Sequence, residues 1–237
     1  MVRYAQQPKK VPITNTLIHL GDTIIEPSAV VRDLGVLFDS HLDFKAHVQS
    51  ISRACFYHLR RIRSIRARLD LESTKLLISA LVLSRLDYCN SLLADLPMST
   101  LAPLQRVQNA AARIVLGIRA CEHITPALKS LHWLPIRQRI RYKLCLLVYS
   151  ALHGLAPSYL RALLTPVSDV PGRSSLRSAS LGDLVLPPTR LKMCERAFSV
   201  SGPREWNSLP SDVRNIKDIL TFKKKLKTYL FKEYFND

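Results

Sequence analysis

The chain has 237 residues, of which 47% are hydrophobic and 22% are charged. This composition allows one large domain or two small ones with a packed core, and it excludes an intrinsically disordered chain. No stretch offers eighteen uncharged apolar residues and the first ten residues contain no apolar signal core, so the sequence predicts neither a membrane span nor a secretory signal peptide.

Positive charge is concentrated in the middle of the chain. Residues 44–168 contain eighteen Lys and Arg against five Asp and Glu, a net charge of +13, whereas residues 1–43 carry −1 and residues 169–237 carry +5. This asymmetry favours nucleic acid or another anionic surface as the partner. A basic protein that is merely very soluble is the alternative interpretation.

The cysteines indicate the redox environment. All five are far apart in the sequence and none belongs to a CxxC pair: Cys55, Cys89, Cys121, Cys145 and Cys194. The pattern predicts reduced, buried thiols in an intracellular protein, either nuclear or cytoplasmic. His123 and His132 lie near Cys121, but a zinc site needs a fourth ligand, so neither a metal site nor a cofactor is predicted.

The predicted elements begin with a small β unit. Residues 16–25 have the pattern of a hairpin around the turn signal Gly21-Asp22, and residues 30–38 form a second β-like run that is broken at Gly35. Two hairpins cannot form an independently stable sheet, so we expect them to pack on the helices or on a neighbouring unit.

Helical periodicity predicts most of the remaining chain. The first helix is expected from about Phe44 to Leu69 with Asp43 as its N-cap, and the second from about Leu71 to Leu93 with Asp70 as its cap. Further helices are expected at residues 100–117, from Thr125, and at residues 135–153, 157–164 and 222–235.

The section after these central helices has a different character. Residues 165–181 are rich in Ser, Pro, Gly and Arg, which predicts a linker, and short strands are expected at residues 184–186 and 198–200. The predicted fold is therefore mainly α, a helical bundle with a small N-terminal β element and a short β patch in a C-terminal domain. The predicted segments are 1–43 (β element), 44–164 (basic helical domain), 165–181 (linker) and 182–237 (small α+β domain).

Arginines mark the polar side of the first predicted helix, and no acid occurs between Arg53 and Arg68. A planar guanidinium fork suits phosphate, so this side predicts binding to a nucleic-acid backbone that weakens as salt rises. A second basic row begins the helix predicted at residues 135–153. The candidate nucleic-acid-binding residues are Arg53, Arg60, Arg61, Arg68, Arg137, Arg139, Arg141 and Lys143. A solvated helix face is the alternative for all of them.

Large aromatic side chains are expected in the core. Trp133 precedes Leu134-Pro135, and Trp206 lies in the turn-rich segment SGPREWNSLP. Burial against an irregular segment is the expected role of both, rather than stacking on bases. The lysines of residues 223–225 are interpreted as a solvated helix face.

No catalytic constellation can be assembled from these residues. The sequence has no DxD, ExD or adjacent aspartates, no glycine-rich phosphate loop, and neither HExxH nor GxSxG. Ser40 and His41 beside Asp43 match a catalytic triad in composition only, and a helix cap explains Asp43 better. An enzyme in its own right is not expected.

Six blocks carry a resemblance to a known family. They are VRDLGVLFDSHLDF, LVLSRLDYCNSLL, LQRVQNAAARIVLG, LHWLPIRQRIRYKLCLLVY, RAFSVSGPREWNSLP and FKKKLKTYLF. In this order they resemble the C-terminal part of non-LTR retrotransposon reverse transcriptases, in particular the Jockey-related group of long interspersed elements. The resemblance covers the chain from about Val11 onward.

The resemblance implies which region of the polymerase each part of the chain would form. Residues 16–39 would be the end of the polymerase palm, with Leu34, Gly35 and Val36 in the turn that supports the primer terminus. Residues 44–164 would be the thumb and the region after it, which hold the template–primer duplex. The family's catalytic aspartates, in an aromatic-x-Asp-Asp motif, and its endonuclease have no counterpart in this sequence.

The expected function is accordingly that of a non-catalytic fragment of an RNA-directed DNA polymerase. Its expected partners are RNA and DNA, together with the palm of the same polymerase, and neither a membrane nor a small-molecule substrate. The alternative is a helical protein-interaction scaffold derived from a retroelement remnant. That alternative predicts an exposed apolar edge formed by Val31, Leu34, Val36 and Leu37.

Overall fold

The computed structural model describes residues 17–26, 28–172 and 175–235, so parts of the predicted β element, linker and C-terminal domain lie outside the described residues. The strands are β1 (Ile18–Leu20), β2 (Thr23–Ile25), β3 (Val30–Asp33) and β4 (Val36–Asp39). The helices are α1 (Lys45–Ile65), α2 (Leu71–Ile78), α3 (Ser84–Asp87), α4 (Met98–Leu116), α5 (Ile124–Ser130), α6 (Ile136–Leu152), α7 (Ser158–Ala162), α8 (Arg177–Ser180), α9 (Phe198–Asn207), α10 (Ser211–Arg214) and α11 (Ile219–Phe235). The predicted mainly α fold with a small N-terminal β element is confirmed.

The four strands form two antiparallel hairpins, β1 with β2 and β3 with β4. The second hairpin turns through Leu34 and Gly35, whose φ angles of 44° and 84° are those of a type I′ turn. Val36 is buried against the helices, whereas Val31 and Leu34 are exposed. The predicted apolar edge is therefore wrong for Val36.

The loop from β4 into α1 is organised by Asp39. Its carboxylate accepts hydrogen bonds from the backbone N–H groups of His41, Asp43 and Phe44, at 3.1, 2.9 and 2.8 Å. Phe44 has a positive φ of 56° and is the N-cap of α1, so the predicted cap Asp43 is wrong by one residue. Asp39 thus satisfies backbone donors that the helix entrance leaves free.

Helices α1 to α4 enclose the N-terminal core. The buried side of α1 includes Val48, Cys55 and Ile62, as its periodicity predicts. Asp70 caps α2 as expected, because its carboxylate accepts from the Ser73 N–H at 2.9 Å. The second predicted helix, from about Leu71 to Leu93, is shorter in the structure. After α2 the chain continues through a π-helical turn (Ser79–Leu83) into α3, which ends at Asp87.

Helix α6 belongs to two hydrophobic clusters. Its first half, through Ile140 and Leu144, packs into the N-terminal core, and its second half, through Val148 and Tyr149, packs into a C-terminal core. The other main members of the C-terminal core are Leu164, Leu184, Trp206, Leu209, Val213, Phe222, Leu226 and Leu230. The predicted boundary between segments 44–164 and 182–237 therefore crosses a shared core.

The predicted linker is tied to the residues that follow it. The Val167 N–H donates to the Asp183 carbonyl at 2.9 Å, and the Val185 N–H donates to the Thr165 carbonyl at 2.8 Å. The strand predicted at residues 184–186 is reduced in the structure to a single antiparallel bridge between Pro166 and Leu184. Buried Val167 adds apolar contact, so the described part of this segment packs onto the protein.

The strand predicted at residues 198–200 is wrong, because these residues begin helix α9. The Gly202-Pro203 pair looks like a turn signal in the sequence, but both residues are buried inside this helix. A Cβ atom on Gly202 would lie 3.0 Å from Cγ2 of Val148, so glycine allows α9 to approach α6 closely. Among the described residues, no helix combines the length and hydropathy that crossing a bilayer requires.

Candidate nucleic-acid interface

Helices α1 and α4 run side by side in the same direction, and a groove follows their junction. Its first part is a cavity of about 560 Å³ beside Ser52, Phe56 and Pro103, and its second part is a cavity of about 750 Å³ that reaches Gly117. Both parts share Arg106. We call this feature the arginine groove, and the arginines that line it are Arg53, Arg60, Arg63, Arg66, Arg106 and Arg113.

No acidic residue lines the arginine groove. Neither α1 nor α4 contains an acidic residue. Within the described part of the chain, Arg53, Arg60, Arg63 and Arg106 form no ion pair. At 1.5 Å per residue, the line from Arg53 to Arg66 spans about 20 Å. Uncompensated charge therefore extends along the whole groove.

Two of the six arginines form the floor at the C-terminal ends of the helices. Arg66 donates to the backbone carbonyls of Ile114 and Val115 at 2.9 and 3.0 Å, and of Leu69 at 2.8 Å. Arg113 donates to the Glu122 carbonyl at 3.1 Å, and its buried Nε has no hydrogen-bond partner. These side chains shape the groove and add positive potential to it.

The other two candidates on the first basic segment lie away from the groove. Arg61 donates to the Tyr57 hydroxyl at 2.9 Å, and its guanidinium carbon is 5.7 Å from the centre of that ring. Arg68 is exposed in the short 3₁₀ turn Arg66–Arg68 that follows α1. Both contribute to the basic surface without lining either cavity.

The second basic row requires a correction for Arg139 and Arg141. Successive members of the row differ by two residues, or about 200° around a helix, so they alternate between opposite sides of α6. Arg139 donates to Asp87 at 2.7 Å, and Arg141 donates to Glu205 and Glu233 at 2.6 and 2.5 Å. These carboxylates occupy the two half-buried arginines, which are therefore not free to bind phosphate.

Electrostatics supports a structural role for Arg141. Burial lowers its pKa, but the carboxylates of Glu205 and Glu233 outweigh that effect and leave the pKa of Arg141 raised. Its partners lie 64 and 92 residues away in sequence, so helical periodicity could not identify them. Of the same row, Arg137 is exposed and Lys143 lines a separate cavity beside Trp133.

The turn expected to support a primer is fastened to the helical bundle. The Leu34 carbonyl accepts a hydrogen bond of 2.7 Å from the hydroxyl of Tyr88, the residue after α3. The Leu34 side chain points away from the core, and 82% of it is exposed. Gly35 faces the Tyr88 ring, since a Cβ atom there would lie 3.7 Å from it. The primer role of Leu34, Gly35 and Val36 stays a prediction.

The thiols divide into two classes. Cys55 and Cys145 are buried as predicted, whereas Cys121 and Cys194 are exposed, so the prediction of five buried thiols is wrong for these two. Burial raises the pKa of Cys55 to about 11 and that of Cys145 further. No three His, Cys, Asp or Glu side chains of the described residues are grouped as a metal site would need.

The sequence predicts two of the six arginines of the groove, Arg53 and Arg60. It does not predict Arg63 and Arg66, or Arg106 and Arg113 of α4. A signal for the α4 pair exists, since this pair and the predicted pair are each spaced seven residues apart, which places each pair on one helix face two turns apart. Comparisons with protein-family models, curated proteins and solved structures find no match to this chain.

Proposed function

We propose that this chain binds the RNA/DNA or template–primer duplex of a retrotransposon reverse transcriptase through its phosphates, without sequence preference. One observation carries the proposal. Six arginines from α1, the turn that follows it and α4 line one groove, and no acidic residue lines it. The proposed binding residues are Arg53, Arg60, Arg63 and Arg106, with Arg61, Arg68 and Arg137 as exposed contributors to the surrounding field.

Phosphate is the ligand that this chemistry fits best. Each guanidinium group donates two parallel hydrogen bonds and keeps its charge at any physiological pH, and each neutralised phosphate releases counterions. The four free arginines are spread along the groove rather than gathered at one point, which matches a linear polyanion better than a single small anion. Contacts of this kind fix register and do not read bases.

The resemblance to the family supplies the biological setting. Under it, α1 and α4 are part of the thumb, and the chain contributes binding rather than DNA synthesis to the polymerase. The palm of the same polymerase is the proposed protein partner at the two hairpins. Leu20, Ile24 and Val31 are exposed apolar side chains there, and such side chains favour contact with another protein surface.

A salt titration tests the proposal. The affinity of the full chain for an RNA/DNA hybrid is measured by fluorescence anisotropy at several salt concentrations, and log Kobs is plotted against log [salt]. A triple variant with Arg53→Gln, Arg60→Gln and Arg106→Gln removes three groove cations. We expect the slope to fall by about 2.7, because each lost phosphate contact removes about 0.9.

A matched variant separates the groove from general basicity. Arg177→Gln, Arg190→Gln and Lys192→Gln remove the same charge from exposed positions outside the groove. This control is expected to keep most of the affinity and of the slope. Equal losses in the two variants, or binding that does not depend on salt, would contradict the proposal. Capture of a protein that survives nuclease treatment, with no hybrid binding, would favour the helical interaction scaffold instead.

A further inference from the structure

A second cavity lies on a different part of the molecule and shares no residue with the arginine groove. Its volume is about 370 Å³, within the range of small-ligand sites. Residues from four places in the chain surround it: the end of the helix pair α2–α3 and the turn after it, the segment before α6, α6 itself, and α11. Its polar and aromatic lining includes Asp87, Asn90, Trp133, Tyr142, Lys143 and Lys227.

One side of the cavity is aromatic and held in place. Trp133 and Tyr142 are both half-buried there. The backbone N–H of Trp133 donates to the Leu128 carbonyl at 3.0 Å, and the backbone carbonyl of Leu134 accepts from Nε2 of buried Gln108 at 2.8 Å. These bonds hold the backbone at this point, and the partly exposed indole that it carries is a suitable surface for a planar ring.

Another side of the cavity carries positive charge. Lys143 of α6 and Lys227 of α11 both line it, and neither forms an ion pair within the described residues. The lining contains one acid, Asp87, which is already paired with Arg139. Two ammonium groups from separate helices are thus available to one anionic group in the cavity.

A buried polar atom at the cavity lacks a partner. Asn90 is 3% exposed, and its Nδ2 donates to Oδ1 of Asp87 at 3.4 Å. Its Oδ1 accepts from no donor in the described structure. A buried acceptor without a hydrogen bond is unfavourable, and a rotation of the amide that turns Oδ1 to the cavity lets an N–H group of a ligand satisfy it.

We infer that this cavity binds one nucleotide. The base packs against Trp133 and Tyr142, an N–H group of the base donates to Oδ1 of Asn90, and the phosphate lies between Lys143 and Lys227. A nucleotide fits this cavity because one molecule then supplies the aromatic ring, the hydrogen-bond donor and the anion that the lining residues can bind. The inference does not rest on the proposed duplex binding, because it uses other residues.

Tryptophan fluorescence provides a direct test. The full chain is titrated with adenosine 5′-monophosphate and, separately, with cytidine 5′-monophosphate. Trp133 lines the cavity, whereas Trp206 is 2% exposed in the C-terminal core, so quenching should come from Trp133 and disappear in Trp133→Phe. Saturable quenching that weakens at least tenfold in Lys143→Gln/Lys227→Gln is the expected result.

Controls keep the test specific. Lys223→Gln/Lys224→Gln removes the same charge from α11 outside the cavity and is expected to leave the affinity unchanged. The Arg53→Gln, Arg60→Gln, Arg106→Gln variant should also bind the nucleotide normally, which separates this site from the groove. Circular dichroism of each variant verifies the fold. Asn90→Leu removes the acceptor oxygen and keeps both lysines, so it is expected to weaken the binding of both monophosphates.

Three further probes identify the source of the nucleotide. Adenosine without phosphate and inorganic phosphate alone should each fail to quench at the concentrations at which adenosine 5′-monophosphate saturates. A single-stranded tetranucleotide that binds more tightly than the monophosphate would assign the site to an unpaired residue of a strand, and equal affinity would assign it to a free nucleotide. Quenching by neither monophosphate nor tetranucleotide, or equal loss in the Lys223/Lys224 control, would overturn the inference.

Discussion

Arg66 and Ile114 are joined by a hydrogen bond of 2.9 Å from the guanidinium Nε to the backbone carbonyl oxygen, although they lie 48 residues apart. The same guanidinium reaches the Val115 carbonyl, so one side chain satisfies two carbonyls in the last turn of α4. Because α1 ends at Ile65, the charge also lies near the negative end of that helix dipole. Arg66 therefore fixes the far end of the arginine groove.

Replacing Arg66 should destabilise the whole helix pair. Arg66→Ala removes three hydrogen bonds to carbonyls, and we expect the free energy of unfolding to fall by about 2–4 kcal/mol. Arg66→Lys keeps the charge but loses the fork, so it should recover less than half of that loss. Urea denaturation measures both. Arg68→Ala, at an exposed position, should change stability by less than about 0.5 kcal/mol.

Asparagine at position 34 should stabilise the second hairpin. Leu34 has a φ of 44°, a conformation that costs a non-glycine residue about 1–2 kcal/mol and that asparagine tolerates better. The Leu34 side chain is exposed, so Leu34→Asn loses little packing and keeps the carbonyl that Tyr88 binds. We expect a gain of about 0.5–1 kcal/mol by thermal or urea denaturation. Leu34→Val, which is β-branched, should lower stability instead.

Stability should fall as the pH drops below about 6.5, in part because of His47. This side chain is 4% exposed, burial lowers its pKa from 6.5, and its Nδ1 accepts from the Leu37 N–H at 3.3 Å. Below pH 6.5 the unfolded chain binds a proton that the folded protein resists, so stability present at neutral pH is lost on acidification. Comparison of unfolding at pH 7.5 and pH 5.5 measures the loss.

A variant without the His47 imidazole provides the control for that pH dependence. His47→Gln keeps a hydrogen-bond acceptor near Leu37 and does not titrate. Its unfolding free energy should change less between the two pH values than that of the parent chain. An identical change in both proteins would show that other groups cause the effect.

Gly202 should not accept a larger side chain. A Cβ atom there would lie 3.0 Å from Cγ2 of Val148 and 3.2 Å from the Phe198 ring, so Gly202→Ala should cost about 1–3 kcal/mol through forced separation of α6 and α9. A double-mutant cycle with Val148→Ala isolates the contact. The added methyl group should be less harmful when Val148 is shortened, and strict additivity would rule out this explanation.

Local sequence patterns identified the long helices and their buried sides. Phe222, Leu226 and Leu230 recur at helical spacing, and all three are buried in α11. Patterns failed where tertiary packing decided the outcome. Gly202 and Pro203 looked like a turn, but the close approach of α6 to α9 gives that glycine a packing role inside a helix.

The arginine groove could also be predicted only in part from the sequence. Arg53 and Arg60 could be placed on one polar face from their own helix alone. Arg106 could not be joined to them, because the pairing of α1 with α4 arises from the core between them. Arg139 and Arg141 looked like members of the same basic surface until their distant carboxylate partners were brought next to them by the fold.

Because α6 contributes to both cores, the two halves of the chain should unfold as one cooperative unit. Removing the residues after position 181 would strip Val148 and Tyr149 of their partners Trp206 and Phe222, and the exposed apolar stripe would promote aggregation. Shortened versions that stop at residue 181 should therefore be insoluble, and a calorimetric scan of the full chain should show a single peak.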